Sequence, residues 1–161
     1  MSRRQDLEKT ISALLGEQWV LTLAFTDEIG PWASPVFYAA DGFDLYFVSG
    51  PDSRHCRHIE AGGTLAAAID WRSENWLQIK GLQMEGNAHR LAAGEQQSLA
   101  RRVYTGKFPF TKIFFDQAGG LPAKLAERIA GVRFYRFRPE RLVLVDNSVS
   151  FGYHAELRIG G

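Results

Sequence analysis

Serine, arginine, histidine and cysteine side chains are concentrated in the segment SGPDSRHCRHIEAGG, residues 49–63, which directly follows the apolar run DLYFV. Such residues serve metal coordination, nucleophilic catalysis and anion binding. A metal site is disfavoured, because structural zinc usually takes four ligands and neighbouring helical residues such as His55 and Cys56 point about 100° apart. A cysteine nucleophile needs a base, and His58 lies on the wrong side of the predicted helix.

Anion binding and a solvated helix start explain the segment about equally well. Asp52 or Ser53 is a typical N-cap for a short helix that stops at residues 62–63. A helix N-terminus offers free N–H groups and the positive end of the helix dipole. The guanidinium groups of Arg54 and Arg57 could add charged donors. Residue types alone leave both interpretations open.

The overall charge is nearly balanced. The 161 residues include 19 Lys plus Arg and 18 Asp plus Glu, so the net charge is +1. This balance argues against general binding to nucleic acid or to an acidic membrane surface. The basic, aromatic stretch at residues 101–115 is therefore predicted to cover the protein core with a helix and a loop.

Several features favour a cytoplasmic protein. Cys56 is the only cysteine, which excludes an internal disulfide framework and fits a reducing compartment. The N-terminal apolar residues are spaced helically, which is not typical of a signal peptide. No apolar run approaches the ~20 residues of a membrane span.

The hydrophobic pattern predicts about seven strands and a few helices. The predicted helices cover residues 5–16, 53–61, 94–105 and 121–130, and the predicted strands 18–26, 32–39, 43–49, 64–70 and 75–92, then two strands within 132–147 joined at Pro139. Asp41-Gly42 predicts a hairpin turn, and Gly81 and Gly86 predict a bend or bulge. This order favours a mainly β fold, an antiparallel barrel with helices outside it.

We expect one domain over residues 1–161. It would consist of an N-terminal helix at about 5–16, a barrel core at about 18–150 and a C-terminal tail at 151–161. The chain lacks the glycine-rich nucleotide motifs of alternating β-α-β folds.

The stretch SRHCRHIEAGGTLAAAI, together with the preceding apolar strand, resembles the flavin-phosphate segment of the pyridoxamine 5′-phosphate oxidase-like FMN-binding split barrels. The likeness extends over roughly residues 8–150. IKGLQMEG, KFP and LVDNSVSFG resemble a small, poorly characterised bacterial branch of that family. The resemblance implies a Greek-key split barrel that forms a homodimer with FMN at the subunit interface.

The resemblance also implies which residues contact FMN. Ser53, Arg54 and His55 would hold the phosphate, with His55 where the family often has lysine. Backbone groups on two strands would line the isoalloxazine ring, namely those of Ser34, Pro35, Val36 and Phe37 on the second strand and Val48 and Ser49 on the third. Lys80 and Gly81 would reach the flavin from the facing subunit, and Asn147 would approach the ring.

Two departures from the family bear on function. The oxidases often have a phosphate-binding arginine near position 34, where this chain has Ser34. They also end in a substrate-binding motif, Arg-Leu-His-Asp-Arg, whereas this chain ends VDNSVSFGYHAELRIGG. The resemblance thus implies an FMN-dependent oxidoreductase acting on an unidentified small molecule, or alternatively a non-catalytic binder of flavin, haem or another planar ligand. Lys80 is a candidate for stabilising reduced flavin, and no catalytic residue is assigned.

Overall fold

The computed structural model describes residues 2–116 and 120–160. Its strands are β1 (Val20–Asp27), β2 (Gly30–Asp41), β3 (Asp44–Ser49), β4 (Leu65–Asp70), β5 (Lys80–Arg90), β6 (Arg133–Asp146) and β7 (His154–Arg158). Its helices are α1 (Arg3–Glu17), α2 (Arg54–Glu60), α3 (Glu95–Lys107), α4 (Lys112–Phe115) and α5 (Ala123–Gly131). Short 3-10 turns cover Trp76–Gln78 and Pro109–Thr111.

The strands form one antiparallel barrel. β1, β2 and β3 are consecutive neighbours and β4 returns beside β1, which gives the spatial order β4–β1–β2–β3 of a Greek key. β6 pairs with both β5 and β3 and closes the barrel, and β7 pairs with the C-terminal half of β6. The predicted fold class, an antiparallel split barrel with outer helices, is confirmed.

Local sequence signals account for several boundaries. The Ser2 side chain accepts a hydrogen bond from the Gln5 N–H, and the Gln5 side chain bonds back to Ser2, so a capping box starts α1. The predicted hairpin between β2 and β3 is confirmed, since Asp41 pairs with Asp44 across a two-residue loop. Gly42 in that loop has a positive φ, which glycine adopts without steric cost.

Apolar side chains fill the barrel from alternate strand positions, because only one face of each strand points inward. In β4, Leu65, Ala67 and Ile69 are buried, whereas Ala66 and Ala68 are exposed. A second apolar cluster lies between α3 and the outside of the barrel: Ala39, Tyr46, Leu91, Ala100, Tyr104, Phe108 and Phe134. The basic, aromatic stretch 101–115 therefore covers the barrel, as predicted.

The C-terminal third differs from the prediction. Instead of two strands joined at Pro139, β6 is one strand that runs through Pro139. The proline is tolerated because it lies between the part of β6 that pairs with β3, ending at Phe137, and the part that pairs with β7, starting at Arg141. The predicted tail at 151–161 is also wrong for its central part, which forms β7.

Glycines in β5 behave differently from one another. At Gly86 the register with β6 shifts, which confirms the predicted bulge. A Cβ atom there would lie 2.2 Å from the Arg138 carbonyl oxygen, so the close approach of β6 requires glycine. Gly81 pairs regularly with Asp70 and Val145, and the bend predicted there is wrong. The predicted strand 75–92 also begins later, after the 3-10 turn at Trp76–Gln78.

The barrel is split between β2 and β3. Their pairing ends at Tyr38 and Phe47, although β2 begins eight residues earlier, at Gly30. Beyond that point β2 pairs with β1, while Val48 and Ser49 pair with β6. Two strand edges therefore diverge without pairing to each other, and we call the gap between them the split.

Candidate functional site

The split is where the structure brings together the residues predicted to line a planar ligand. Ser34, Pro35, Val36 and Phe37 lie on the β2 edge, and Val48 and Ser49 lie on the β3 edge. Ser34 is buried, Val36 is half-buried, and the ring of Phe37 is 42% exposed. Both edges keep backbone groups that the β2–β3 ladder does not use.

Three polar side chains meet where β3 leads into α2. The Nε2 atom of His55 lies 2.7 Å from the Ser49 hydroxyl and 3.2 Å from the Ser53 hydroxyl, and the two hydroxyls are 3.3 Å apart. Ser53 is also the N-cap of α2, since its hydroxyl accepts a hydrogen bond from the Cys56 N–H. We call Ser49, Ser53 and His55 the hydroxyl–imidazole cluster.

The cluster carries little charge near neutral pH. Burial lowers the pKa of His55, because removal from water disfavours the imidazolium form. The neutral ring donates or accepts one hydrogen bond at each nitrogen, and each serine hydroxyl does both. The cluster therefore offers hydrogen bonds to an anion but no fixed positive charge.

Arg54 points away from this cluster toward the β1–β2 turn. Its Nε and Nη2 atoms each donate to an Asp27 carboxylate oxygen at 2.7 Å, and Nη2 also donates to the Gly30 carbonyl at 3.1 Å. The guanidinium carbon lies 4.5 Å from the centre of the Trp32 ring. Arg54, predicted to hold a phosphate, is thus engaged in a bidentate ion pair.

Asp27 was missed at the level of sequence. Its Oδ1 atom also accepts hydrogen bonds from the backbone N–H groups of Ile29 and Gly30, at 2.9 and 3.2 Å. The Arg54 guanidinium holds the pKa of Asp27 well below its usual range. Asp27 lies in the segment DEIG between two predicted strands, and nothing in the local pattern connects it with an arginine 27 residues later.

Lys80, Gly81 and Asn147 lie apart from the split within one chain, because β1 and β4 separate β5 from β2 in the sheet. The Lys80 ammonium lies 3.4 Å from a carboxylate oxygen of Asp146. Burial raises the pKa of Asp146, but hydrogen bonds from Ser148 and the charge of Lys80 outweigh it, so the pKa is lowered.

Asn147 fixes the loop that follows β6. Its side-chain N–H donates to the Trp76 carbonyl at 2.6 Å, and its Oδ1 accepts from the Gly152 N–H at 3.0 Å. Its backbone N–H donates to the Ile79 carbonyl at 2.9 Å. These bonds join two apolar segments whose side chains are largely exposed, Trp76 at 77% and Phe151 at 70%. We call these two segments, Trp76–Ile79 and Val149–Phe151, the apolar loops.

Three tryptophans occupy different places in the structure. Trp32 is 48% exposed at the β1–β2 hairpin, and Trp76 belongs to the apolar loops. Trp71 packs against the barrel core, and its indole N–H donates to Glu17 at 2.9 Å. Core packing is therefore found for Trp71, whereas Trp32 and Trp76 present their rings outward.

Two further findings come from the part of the chain that the structure describes. No helix there is long and apolar enough to cross a membrane. Within residues 2–116 and 120–160, no three His, Cys, Asp or Glu side chains form a group that could hold a metal ion.

The family model described as pyridoxamine 5′-phosphate oxidase matches residues 7–146. A curated relative, the UPF0306 protein YhbP of Escherichia coli O157:H7, is 25% identical over 144 residues, which cover 88% of this chain and 86% of the relative. The sequence-level resemblance is confirmed.

Solved structures share the fold at low identity. A haem-binding protein from Mycobacterium smegmatis superposes with a TM-score of 0.69 and 21% identity, covering 94% of this chain but only 56% of the other. This chain therefore spans about half the length of that protein. A FAD-binding protein from Mesorhizobium loti superposes with a TM-score of 0.63 and 19% identity, covering 85% of this chain and 89% of the other.

Proposed function

The chain belongs to the pyridoxamine 5′-phosphate oxidase family, and from that premise we propose that it is a homodimeric, FMN-binding oxidoreductase of the cytoplasm. Its substrate would be a small molecule. The observation that carries this proposal is the split, in which two diverging strand edges run to the hydroxyl–imidazole cluster.

The split fits a flat ring with polar edges. An isoalloxazine carries carbonyl oxygens and an N–H group along one edge, and these need hydrogen-bond partners once water is removed. Residues 34–37 and 48–49 offer backbone groups that the β2–β3 ladder leaves unused. Backbone groups suit this task, because their positions are fixed by the strands.

The hydroxyl–imidazole cluster fits a phosphate as a set of hydrogen-bond donors. Ser49, Ser53 and His55 converge within 3.3 Å of one another, as donors around one anion would. Arg54 would add to this set only with the donors that Asp27 and Gly30 leave free.

When bound, FMN supplies hydride and electron transfer at its ring. The chain's own residues would bind and orient that ring: the β2 and β3 edges would hold its polar groups, and Phe37, which is 42% exposed, would lie beside it. Lys80 of a facing subunit would bring a cation whose position is held by Asp146. Positive charge beside a reduced flavin favours its anionic form.

Exposed apolar and small side chains support a homodimer. Ala66 and Ala68 are exposed on the outer face of β4, and the apolar loops present Trp76 and Phe151. Large exposed apolar patches on a small protein commonly mark an interaction surface. A second copy would bury them and bring Lys80, Gly81 and Asn147 toward its partner's split.

The arginines around β7 do not favour a phosphorylated substrate there. His154–Arg158 form β7, which pairs with β6. Glu156 in this strand binds Arg141 at 2.9 Å and Arg158 at 2.9 Å, so these arginines are already engaged by a carboxylate.

A non-catalytic binder of haem or another planar ligand is the second candidate. The observation that favours it is the ion pair between Arg54 and Asp27, which leaves the predicted phosphate segment without a free charged group at that position. The similarity to a haem-binding protein supports the same alternative.

Spectral titration separates the two candidates. Purified protein would be titrated with FMN and with haem, and NAD(P)H oxidation would then be followed with an electron acceptor. The oxidoreductase proposal predicts FMN binding and turnover above that of free FMN. Tight haem binding without flavin-dependent turnover would favour the alternative.

A further inference from the structure

We propose that Asp27 sets the ligand preference of the split, because it withholds Arg54 from a ligand phosphate. The wild-type site then favours a planar ligand that carries a phosphate only through the hydrogen bonds of the hydroxyl–imidazole cluster. This inference rests on the proposed flavin site and identifies the residue that decides its selectivity.

The guanidinium of Arg54 has few donors left for a ligand. Of its five N–H groups, one on Nε and both on Nη2 are directed at Asp27 and Gly30. One face of the group also packs over Trp32. Only the two N–H groups of Nη1 remain, and a bidentate grip on a phosphate would require the ion pair to open.

Asp27 is itself held in place. The N–H groups of Ile29 and Gly30 bind its carboxylate from within the tight β1–β2 turn, so the side chain is anchored independently of Arg54. The ion pair is largely shielded from water, with 18% of the Arg54 side chain and 21% of the Asp27 side chain exposed. Shielded pairs are screened less by salt than exposed ones.

The charges around the phosphate segment cancel. Asp27 balances Arg54, and the exposed residues Asp52 and Arg57 carry opposite charges. His55 is held toward its neutral form by burial. A phosphate would therefore meet neutral hydrogen-bond donors, without the additional attraction of an opposite charge that a free arginine supplies.

The test compares FMN with riboflavin, which has the same ring and no phosphate. Dissociation constants are measured by quenching of flavin fluorescence for the wild type and for Asp27→Asn. Asparagine keeps the Oδ1 atom that accepts from Ile29 and Gly30 but removes the charge that holds Arg54. We expect FMN affinity to rise about tenfold, as for a gained charge-assisted hydrogen bond, with riboflavin affinity changed less than about twofold.

A matched control is available in the same barrel. Arg138 binds Asp44 through two bonds of 2.7 and 2.8 Å, at the β2–β3 hairpin. Asp44→Asn removes the same kind of charge from the same kind of pair outside the split. This variant should leave the affinities for both flavins unchanged.

The double variant Asp27→Asn/Arg54→Gln gives an independent reading, because it removes both charges together. We expect it to keep the wild-type ratio of FMN to riboflavin affinity. A wild type that prefers FMN by more than about 100-fold, and loses that preference in the double variant, would show that Arg54 already holds the phosphate and would overturn the proposal.

The binding data distinguish a wrong flavin site from a wrong role for Asp27. If the wild type, Asp27→Asn and Asp44→Asn bind neither FMN nor riboflavin while their thermal unfolding shows a folded protein, both the flavin site and this inference are wrong. If FMN and riboflavin bind but Asp27→Asn leaves their affinities unchanged, only the role of Asp27 is wrong.

Discussion

The two ends of the predicted site differ in how they hold their cation. At the phosphate end, Arg54 makes two bonds of 2.7 Å to Asp27, and the hydroxyl–imidazole cluster lies on the same segment. At the loop end, Lys80 makes a single contact of 3.4 Å with Asp146. Arg54 is therefore held in a bidentate ion pair, whereas the contact with Asp146 leaves most of the N–H donors of the Lys80 ammonium group available.

The two ends also differ in what they expose. The phosphate end is complete within one chain, since its polar groups bind one another. At the loop end, the side chain of Asn147 joins the two apolar loops, which expose Trp76 and Phe151. Exposed apolar side chains grouped in this way commonly mark an interaction surface. Under the proposed function, the phosphate end would belong to each protomer and the loop end would act across a dimer.

The largest effect is expected from Trp76→Asp at the loop end. Loss of a tryptophan anchor commonly costs an interface about 2–4 kcal/mol, which raises the dissociation constant of the dimer about 30- to 1000-fold. Sedimentation velocity over a range of protein concentrations measures this shift. Leu125→Asp, a substitution of an exposed apolar residue on α5, is the control and should leave the dimer intact.

The next largest effect is expected from Asp27→Asn, which should raise FMN affinity about tenfold and change riboflavin affinity little. The reason is that this substitution changes the phosphate end and leaves the loop end untouched. A gain for riboflavin of the same size would show that Asp27 acts on the ring and not on the phosphate.

A smaller effect is expected from His55→Ala. The substitution removes a neutral hydrogen-bonding group from the cluster, so FMN affinity should fall about 2- to 10-fold while riboflavin affinity stays the same. Fluorescence titration measures both. His89→Ala, at an exposed position on β5, serves as the control. An equal loss for riboflavin would place His55 at the ring.

The smallest effect is a difference in acid stability. A carboxyl whose pKa is lowered in the folded state stabilises the fold above its unfolded pKa, and that stabilisation is lost as the pH falls below it. Asp27 is such a group, because Arg54 lowers its pKa. Between about pH 5 and pH 2, the Tm of the wild type should therefore fall more steeply than that of Asp27→Asn. Parallel curves from thermal unfolding would contradict this.

Much of the barrel follows from local sequence. Alternating apolar residues predict β1 to β5, and Asp41-Gly42 predicts the β2–β3 hairpin. β7 was not predicted, because HAELR is short and becomes a strand only by pairing with β6. The strand break predicted at Pro139 is wrong. A strand accepts proline there only because the pairing of β6 with β3 ends before Pro139 and the pairing with β7 begins after it.

The candidate site shows more clearly that sequence alone does not predict contacts between residues distant along the chain. The segment from Ser49 to His55 was recognisable because its residues are adjacent in sequence and resemble a family pattern. The engagement of Arg54 by Asp27 was not, because it depends on how the β1–β2 turn meets α2 in space. Sequence therefore predicts which groups are present, and the structure decides which of them are free to act.

Sedimentation velocity with FMN, recorded at both protein and flavin absorbance, tests the central claim most directly. The proposed function predicts one boundary at the mass of a dimer that carries flavin at close to one FMN per protomer, with flavin lost when Trp76→Asp splits the dimer. A folded protein that sediments as a monomer, with all the flavin remaining at the rate of free FMN, would contradict it.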